Sequence, residues 1–273
     1  MVRRAAVLAL VLGLGLDLPV GPAAARLPLR AEAVALVDVS SGRLLYGQAA
    51  DRRMAPASTT KILTAALAIE KLPPGAVITV GPGAAAMRRG STLGLAAGER
   101  WAADDLLHAL LLVSANDAAI ALAEATAGTV RRFVALMNAR ARALGARSSH
   151  FSNPHGLDSE DHYTTARDLA LIARYALGSP RFRAIVRTET WQVRRWGLPA
   201  EQLVNRNQFL ARYQGADGVK TGMTAAAGYT FVASATRDGR QLVAVVLRSP
   251  DIYGDAERLM DFGFQLYPRP SSP

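Results

Sequence analysis

Two residues spaced for nucleophilic chemistry stand out, in Ala57-Ser58-Thr59-Thr60-Lys61. Residues three apart on a helix share a face, so Ser58 and Lys61 would lie one turn from each other. A serine hydroxyl is a poor nucleophile until a base takes its proton. A lysine amine can be that base if burial or neighbouring cations lower its pKa. A serine at a helix start also lies beside free backbone N–H groups, where an oxyanion could be held. The plainer reading makes Ser58 a helix cap and Lys61 a solvated first-turn residue. Composition favours the chemical reading. Of 32 Lys and Arg residues only Lys61, Lys71 and Lys220 are lysines. Arginine supplies generic positive charge here, but it does not deprotonate in a protein. Lysines kept against that bias mark sites where arginine would fail.

Two further clusters have the same character. Ser114-Ala115-Asn116 falls between two helical stretches. It reads either as a capped loop or as a hydroxyl and an amide aimed into a cleft. Lys220-Thr221-Gly222 precedes a β-rich run. It reads either as an edge strand with a glycine at a close approach or as a cation and hydroxyl offered to a carboxylate. Each cluster alone suits the plain reading. Three in order, containing two of the three lysines, do not.

The elements that must position them follow from pattern. Glu32 to Val39 alternates and is β-rich, Ser40 to Arg43 is a turn, and Leu44-Leu45-Tyr46 starts a return strand. The Ser58 helix runs to about Lys71 and stops at Pro73-Pro74-Gly75. Val77 to Val80 is a short strand, and Gly81 to Gly98 is loop-rich. Helices are predicted over Ala103 to Leu112, Ala118 to Thr126, Val130 to Leu144 and Thr165 to Leu177, the last stopped by Gly178-Ser179-Pro180. Strand character returns after Arg187. Gly218 to Thr221 is short and extended. Gly228 to Thr236 and Arg240 to Leu247 form a hairpin about Asp238-Gly239. An amphipathic helix, about Tyr253 to Leu266, closes the chain. Strands at both ends around a helical middle predict one antiparallel sheet with a helical lobe and a cleft between them.

Half of the 273 residues are hydrophobic, enough for a full core. There is no cysteine, which excludes disulfides and thiolate metal sites. The formal charge of +10 is spread among scattered arginines with few aromatics. That suits an anionic surface such as a cell wall or membrane, or a solvated face, and no nucleic-acid partner is read. Residues 1–25 read as a secretory signal: Arg3-Arg4, a short apolar run from Ala5 to Leu16, and cleavage after Ala23-Ala24-Ala25. No stretch of the mature chain is long enough for a transmembrane span. The histidines His108, His150, His155 and His162 form no ligand cluster. His155 and His162 are read as surface or supporting residues, and no metal or cofactor is expected.

Ser-x-x-Lys, Ser-x-Asn and Lys-Thr-Gly together resemble the serine penicillin-recognising enzymes. Within them the chain is similar to the low-molecular-mass penicillin-binding proteins that are serine-type D-alanyl-D-alanine carboxypeptidases. Asp217 to Gly222, Ala227-Gly228-Tyr229, Asn153 to Leu157 and Thr164 to Leu169 extend the resemblance over about residues 32 to 266. It implies an α/β (α+β) fold of the β-lactamase/transpeptidase type, with a sheet from both chain ends and an all-helical second lobe. One catalytic domain would span 26–268, with the lobe inserted at about 81–186 and a disordered tail at 269–273. The resemblance also implies roles. Ser58 attacks the bond between two terminal D-alanines of a peptidoglycan stem peptide, Lys61 is the base, and Ser114 passes a proton to the leaving amine. Asn116, Lys220, Thr221, Gly222 and Met223 bind substrate. β-Lactams would acylate Ser58. A D,D-endopeptidase or β-lactamase on the same fold and a non-catalytic wall-binding protein are the alternatives. No Glu-x-x-Leu-Asn segment lies between Asn116 and Lys220, which argues against a β-lactamase. Met223 stands where many relatives have histidine. The chain ends at Pro273, too early for the β-domain and amphipathic anchor that many relatives carry.

Overall fold

The computed structural model describes residues 27–195 and 199–267. The stretches read as an export signal, 1–25, and as a tail, 269–273, lie outside the described residues. The chain opens with a hairpin, β1 (Ala33–Asp38) and β2 (Leu44–Gln48). A 3₁₀ turn, Ala57–Thr60, leads into α1 (Lys61–Lys71). Next come β3 (Val77–Thr79), α2 (Pro82–Ala85), β4 (Arg100–Ala102) and α3 (Ala103–His108), which runs on as a π-turn over Ala109–Val113. The helices α4 (Asn116–Ala127), α5 (Val130–Ala143), α6 (Ala166–Leu177) and α7 (Pro180–Arg187) follow. A hairpin, β5 (Thr190–Val193) and β6 (Glu201–Val204), and the short α8 (Phe209–Arg212) lead to β7 (Ala216–Thr224), β8 (Gly228–Arg237) and β9 (Arg240–Leu247). The last helix is α9 (Ile252–Gln265).

The main sheet has the order β2-β1-β9-β8-β7 and is antiparallel throughout. The first strand pairs with the last, from Ala33↔Leu247 to Asp38↔Leu242. Both strands read as near-continuous apolar runs because both faces of the sheet are covered. Strand alternation divides them. Ala33, Ala35, Val37, Val243 and Val245 join the core beneath α1 and α6. Val34, Leu36, Leu242, Ala244 and Val246 pack under α9 with Ala256, Leu259 and Met260. Gly263 is needed for that approach, since a Cβ there would come within 2.8 Å of both Leu36 and Leu242 side chains. The β8–β9 turn has positive φ at Asp238 (49°) and Gly239 (75°), as a type I′ hairpin requires.

Two sequence expectations need correction and one needs an addition. The second lobe is not all helical. β3 finds a partner in β4, which is three residues long and runs straight into α3, so no pattern announced it. Gly178-Ser179-Pro180 stops α6 at Leu177 as expected, and Ser179-Pro180 also starts α7, which was not expected. The Ser179 hydroxyl accepts from the Phe182 N–H at 3.3 Å, and Pro180 sits in the first turn, where its missing N–H costs nothing. The extended piece at Gly218 to Thr221 is the middle of β7, nine residues long. Its glycines have low strand propensity, and pairing with β8 overrides them.

Asp38 ties the β1–β2 turn to β9. Its carboxylate accepts from the Ser40 and Ser41 hydroxyls at 2.6 and 2.9 Å and from Arg240 at 2.7 Å. Burial alone would raise its pKa, but these bonds outweigh it and hold the carboxyl well below the usual range. A depressed folded-state pKa adds stability above the unfolded value, near 4, and loses it as pH falls. Asp38→Asn is expected to lower stability by about 2 kcal/mol at pH 7 in urea titrations. The gap to wild type should narrow as pH drops below about 4; a gap constant with pH would refute the assignment.

Candidate active site

The Ser58 turn is built so that one hydroxyl faces outward. Ala57 has φ +51°, a conformation that alanine rarely adopts and that the surroundings must enforce. Thr59 Oγ1 donates to the Pro56 carbonyl at 2.6 Å, and Thr230 Oγ1 of β8 donates to the same oxygen at 3.1 Å. Thr60 Oγ1 meets His162 Nε2 at 2.9 Å, and Thr64 Oγ1 donates to the Pro154 carbonyl at 2.7 Å. The neighbouring hydroxyls are thus committed to the scaffold. Ser58 lies in the 3₁₀ turn, one step before α1 proper, and lines the cleft between the lobes.

Lys61 is wholly buried. Its Nζ lies 2.9 Å from Ser58 Oγ, 2.7 Å from Asn116 Oδ1 and 2.6 Å from the His155 carbonyl oxygen. A neutral amine has two N–H donors and one lone pair. Two of the three contacts are fixed acceptors, so in the neutral form they would take both donors and leave the lone pair for the Ser58 hydroxyl. Burial first, then the charge of Lys220, holds Lys61 well below the ordinary lysine range, against the opposing pull of Asp117. Asp117 accepts from the Leu93 and Leu95 N–H groups at 3.0 and 3.1 Å, fastening the 91–95 loop to α4.

Asn116, read as a substrate contact, has both ends of its amide engaged within the protein. Oδ1 accepts a hydrogen bond from Lys61 Nζ at 2.7 Å and Nδ2 donates to the Arg89 carbonyl at 2.8 Å. Its position orients Lys61. Ser114 ends the π-turn with φ +67°, where Ala115 N–H reaches back to the Ala109 carbonyl at 3.1 Å, and its side chain faces the cleft.

The opposite wall is β7, an edge strand. Lys220 is 2% exposed and donates to the Thr221 carbonyl at 2.7 Å. By alternation it shares the strand face of Gly222, which is turned toward the Ser58 turn, and Thr221, Gly222 and Met223 line the cleft. Burial first, then Arg206, pushes Lys220 down to about 7. Gly222 can only be glycine: a Cβ would lie 2.6 Å from Thr230 Oγ1 and 2.8 Å from Ser58 N. That proximity brings the Ser58 N–H and the β7 backbone together at one point, as an oxyanion site needs. The cleft holds about 520 Å³.

Several contributors were not legible in the sequence. Arg206 lines the cleft, donates to Ser91 Oγ at 2.7 Å, and acts on Lys220. Among so many arginines nothing distinguished it. His162 is buried, not a surface residue; burial and the charge of His150 push it down to about 4, so it stays neutral beside Thr60. Burial and then the Lys61 charge take His155 to about 3. Gly156 has φ +89° and backs directly onto Ala57: a Cβ there would sit on the Ala57 carbonyl. Among the described residues no cluster of His, Asp or Glu could hold a metal ion.

Comparison with known proteins places this geometry. The model of the D-alanyl-D-alanine carboxypeptidase family matches residues 21–251. A D-alanyl-D-alanine carboxypeptidase of Bacillus subtilis is 33% identical over 255 residues, covering 90% of this chain and 65% of that protein. The chain thus spans less than two thirds of that relative's length. One from Mycobacterium tuberculosis is 37% identical over 248 residues, covering 86% of this chain and 83% of that one. The crystal structure of the Streptomyces K15 DD-transpeptidase superposes with a TM-score of 0.81 at 32% identity, covering 87% of this chain and 98% of that one.

Gly156→Ala is expected to lose about 2–4 kcal/mol, because it combines an unfavourable φ with a backbone clash. Gly75→Ala, at φ +78° with no atom within 4 Å of the new Cβ, should lose only about 1 kcal/mol. Equal losses in denaturant titrations would mean that the Ser58 turn yields to the added methyl.

Proposed function

The chain belongs to the D-alanyl-D-alanine carboxypeptidase family, and we propose that it removes the terminal D-alanine from peptidoglycan stem peptides through a Ser58 acyl-enzyme. The observation that carries this reading is the Lys61 amine, buried and held between Asn116 Oδ1 and the His155 carbonyl, 2.9 Å from Ser58 Oγ. Ser58 adds to the carbonyl between the two D-alanines as Lys61 takes its proton. The N–H groups of Ser58 and Met223 hold the oxyanion. Ser114 passes a proton to the leaving amine, which departs as D-alanine. Water then hydrolyses the ester. The terminal carboxylate lies at Thr221, with the neighbouring buried Lys220 adding positive field. Asn116 serves by orienting Lys61.

Penicillin presents its strained amide to the same serine. The chain lacks the Glu-x-x-Leu-Asn segment expected of a deacylating β-lactamase, so the adduct should persist. The substrate class and the Arg3-Arg4 segment with its apolar run favour work outside the cytoplasm. No described helix is long and apolar enough to cross a membrane.

Intact-mass spectrometry with penicillin should give one slowly decaying adduct, lost in Ser58→Ala, and a stem pentapeptide should release D-alanine. Turnover of penicillin without an accumulating adduct would overturn the reading.

The two motif lysines should fail differently as arginine. Lys61→Arg leaves a permanent cation beside Ser58 and should slow acylation by about 10²–10⁴, the range of general-base catalysis. Lys220→Arg keeps the charge and should retain measurable D-alanine release. If Lys220→Arg is the less active of the two, the roles are reversed. In wild type, acylation should fall as acid protonates Lys61. Because that amine's pKa is depressed, the fall should lie well below the ordinary lysine range.

A further inference from the structure

The end of the sheet farthest from the cleft carries a basic pocket that the reaction does not use. From Tyr229 at the cleft, β8 leads away over its ten residues, about 30 Å of strand, to the Asp238-Gly239 turn. Near that turn a pocket of about 500 Å³ lies between Val39 and Gln241 of the sheet and the C-terminal end of α6. Arg174 and Arg183 line it, both half-buried. Arg174 donates to the Val39 and Ser40 carbonyls at 2.6 and 3.2 Å, and Arg183 to the Leu177 carbonyl at 2.6 Å. These bonds fix the two side chains but use only some of the five N–H donors that each guanidinium has. Among the described residues no carboxylate lines the pocket or lies within ion-pairing distance of either arginine. Arg140 and Arg181, also half-buried, each have an acidic partner. Glu70, held by Tyr175 at one wall, is the partner of Arg140.

Two guanidinium forks with spare donors and no counter-charge form a site for an anion, and phosphate oxygens match that fork. The rest of the lining narrows the choice of anion. Val39, Leu144, Leu171 and Leu177 set an apolar wall beside the two cations. A bare phosphate gains nothing from that wall, whereas a phosphate carried on glycerol and acyl chains gains from both parts. The adjoining β1–β2 turn adds Arg43, which is exposed. The formal charge of +10 supplies long-range attraction to an anionic bilayer. We propose that this end of the sheet docks on an anionic membrane surface, with a phospholipid phosphate between Arg174 and Arg183 and its glycerol backbone against the leucines. The cleft, at the other end of β8, then lies on the side away from the bilayer.

The test is co-sedimentation of the purified protein with vesicles of phosphatidylcholine alone and of equimolar phosphatidylcholine and phosphatidylglycerol. Wild type is expected to bind the mixed vesicles more tightly than the neutral ones by about fivefold or more. Arg183→Gln leaves the β1–β2 turn untouched and should weaken binding to the mixed vesicles by about fivefold, and Arg174→Gln by as much. Arg131→Gln removes an exposed charge on α5 and serves as the control, with a loss of no more than about twofold. Circular dichroism will report the fold of each variant, and Arg183→Gln keeps the test open if Arg174→Gln unfolds. Equal weakening in Arg131→Gln and Arg183→Gln would mean that net charge acts without a site, and would overturn the proposal. So would equal binding of wild type to the two kinds of vesicle. If inorganic phosphate binds wild type but not Arg183→Gln in calorimetry, while the mixed vesicles bind both alike, the pocket takes a free phosphate and membrane docking is refuted.

Discussion

The structure depends on keeping one lysine amine dry and in contact with one serine. An unpaired ammonium in a protein interior is strongly disfavoured, and the way out is to give up the proton. Lys61 meets that condition and gains two acceptors from separate parts of the chain: the Asn116 side chain at the start of α4 and the His155 carbonyl in the loop before α6. Neither acceptor belongs to α1. The Lys61 environment is complete only when the helical lobe and the 153–157 loop are docked on the helix that carries it.

The sheet brings the remaining wall. Because β1 lies between β2 and β9, the N-terminal hairpin is locked into the sheet made by the C-terminal strands. The Ser58 turn follows that hairpin and is carried to the far edge, where β7 passes close enough that only Gly222 fits against Ser58 N. Pro56 is held there by a hydroxyl from β8 as well as one from its own turn. The left-handed Ala57 is tolerated because these contacts over-determine it.

What the sequence disclosed and what it concealed divide along physical lines. Ser58, Lys61, Ser114 and Lys220 could be singled out, and the fold gathers them at one cleft; three lysines among so many arginines are conspicuous. The core strands were legible because their pattern is unbroken, and Asp238-Gly239 because the turn demands it. The bonds of Asn116 to Lys61 and to the Arg89 carbonyl could not be read from the residue itself, because an amide with several hydrogen-bonding sites can serve a substrate or a neighbour equally. Arg206 and Gly156 were hidden for the opposite reason: their residue types are common, and their importance comes wholly from what lies across from them. Ser179-Pro180 carries the signature of a stop and of a start, and it serves as both, ending α6 and capping α7 at the Phe182 N–H.

The electrostatics of the cleft pose a problem that the order of causes resolves. Arg206 lowers Lys220, and Lys220 lowers Lys61. A substrate carboxylate arriving at Thr221 weakens that chain of repulsions and so favours a proton on Lys61, the wrong direction for a base. Were Lys220 the main reason for a neutral Lys61, binding would impair the chemistry. Burial is the larger cause at both lysines, and it acts in the other sense. A peptide lying along β7 covers the cleft, removes water and deepens the desolvation. If Lys61 is the base proposed above, it is thus protected from an anionic substrate, because burial lowers its pKa more than repulsion does.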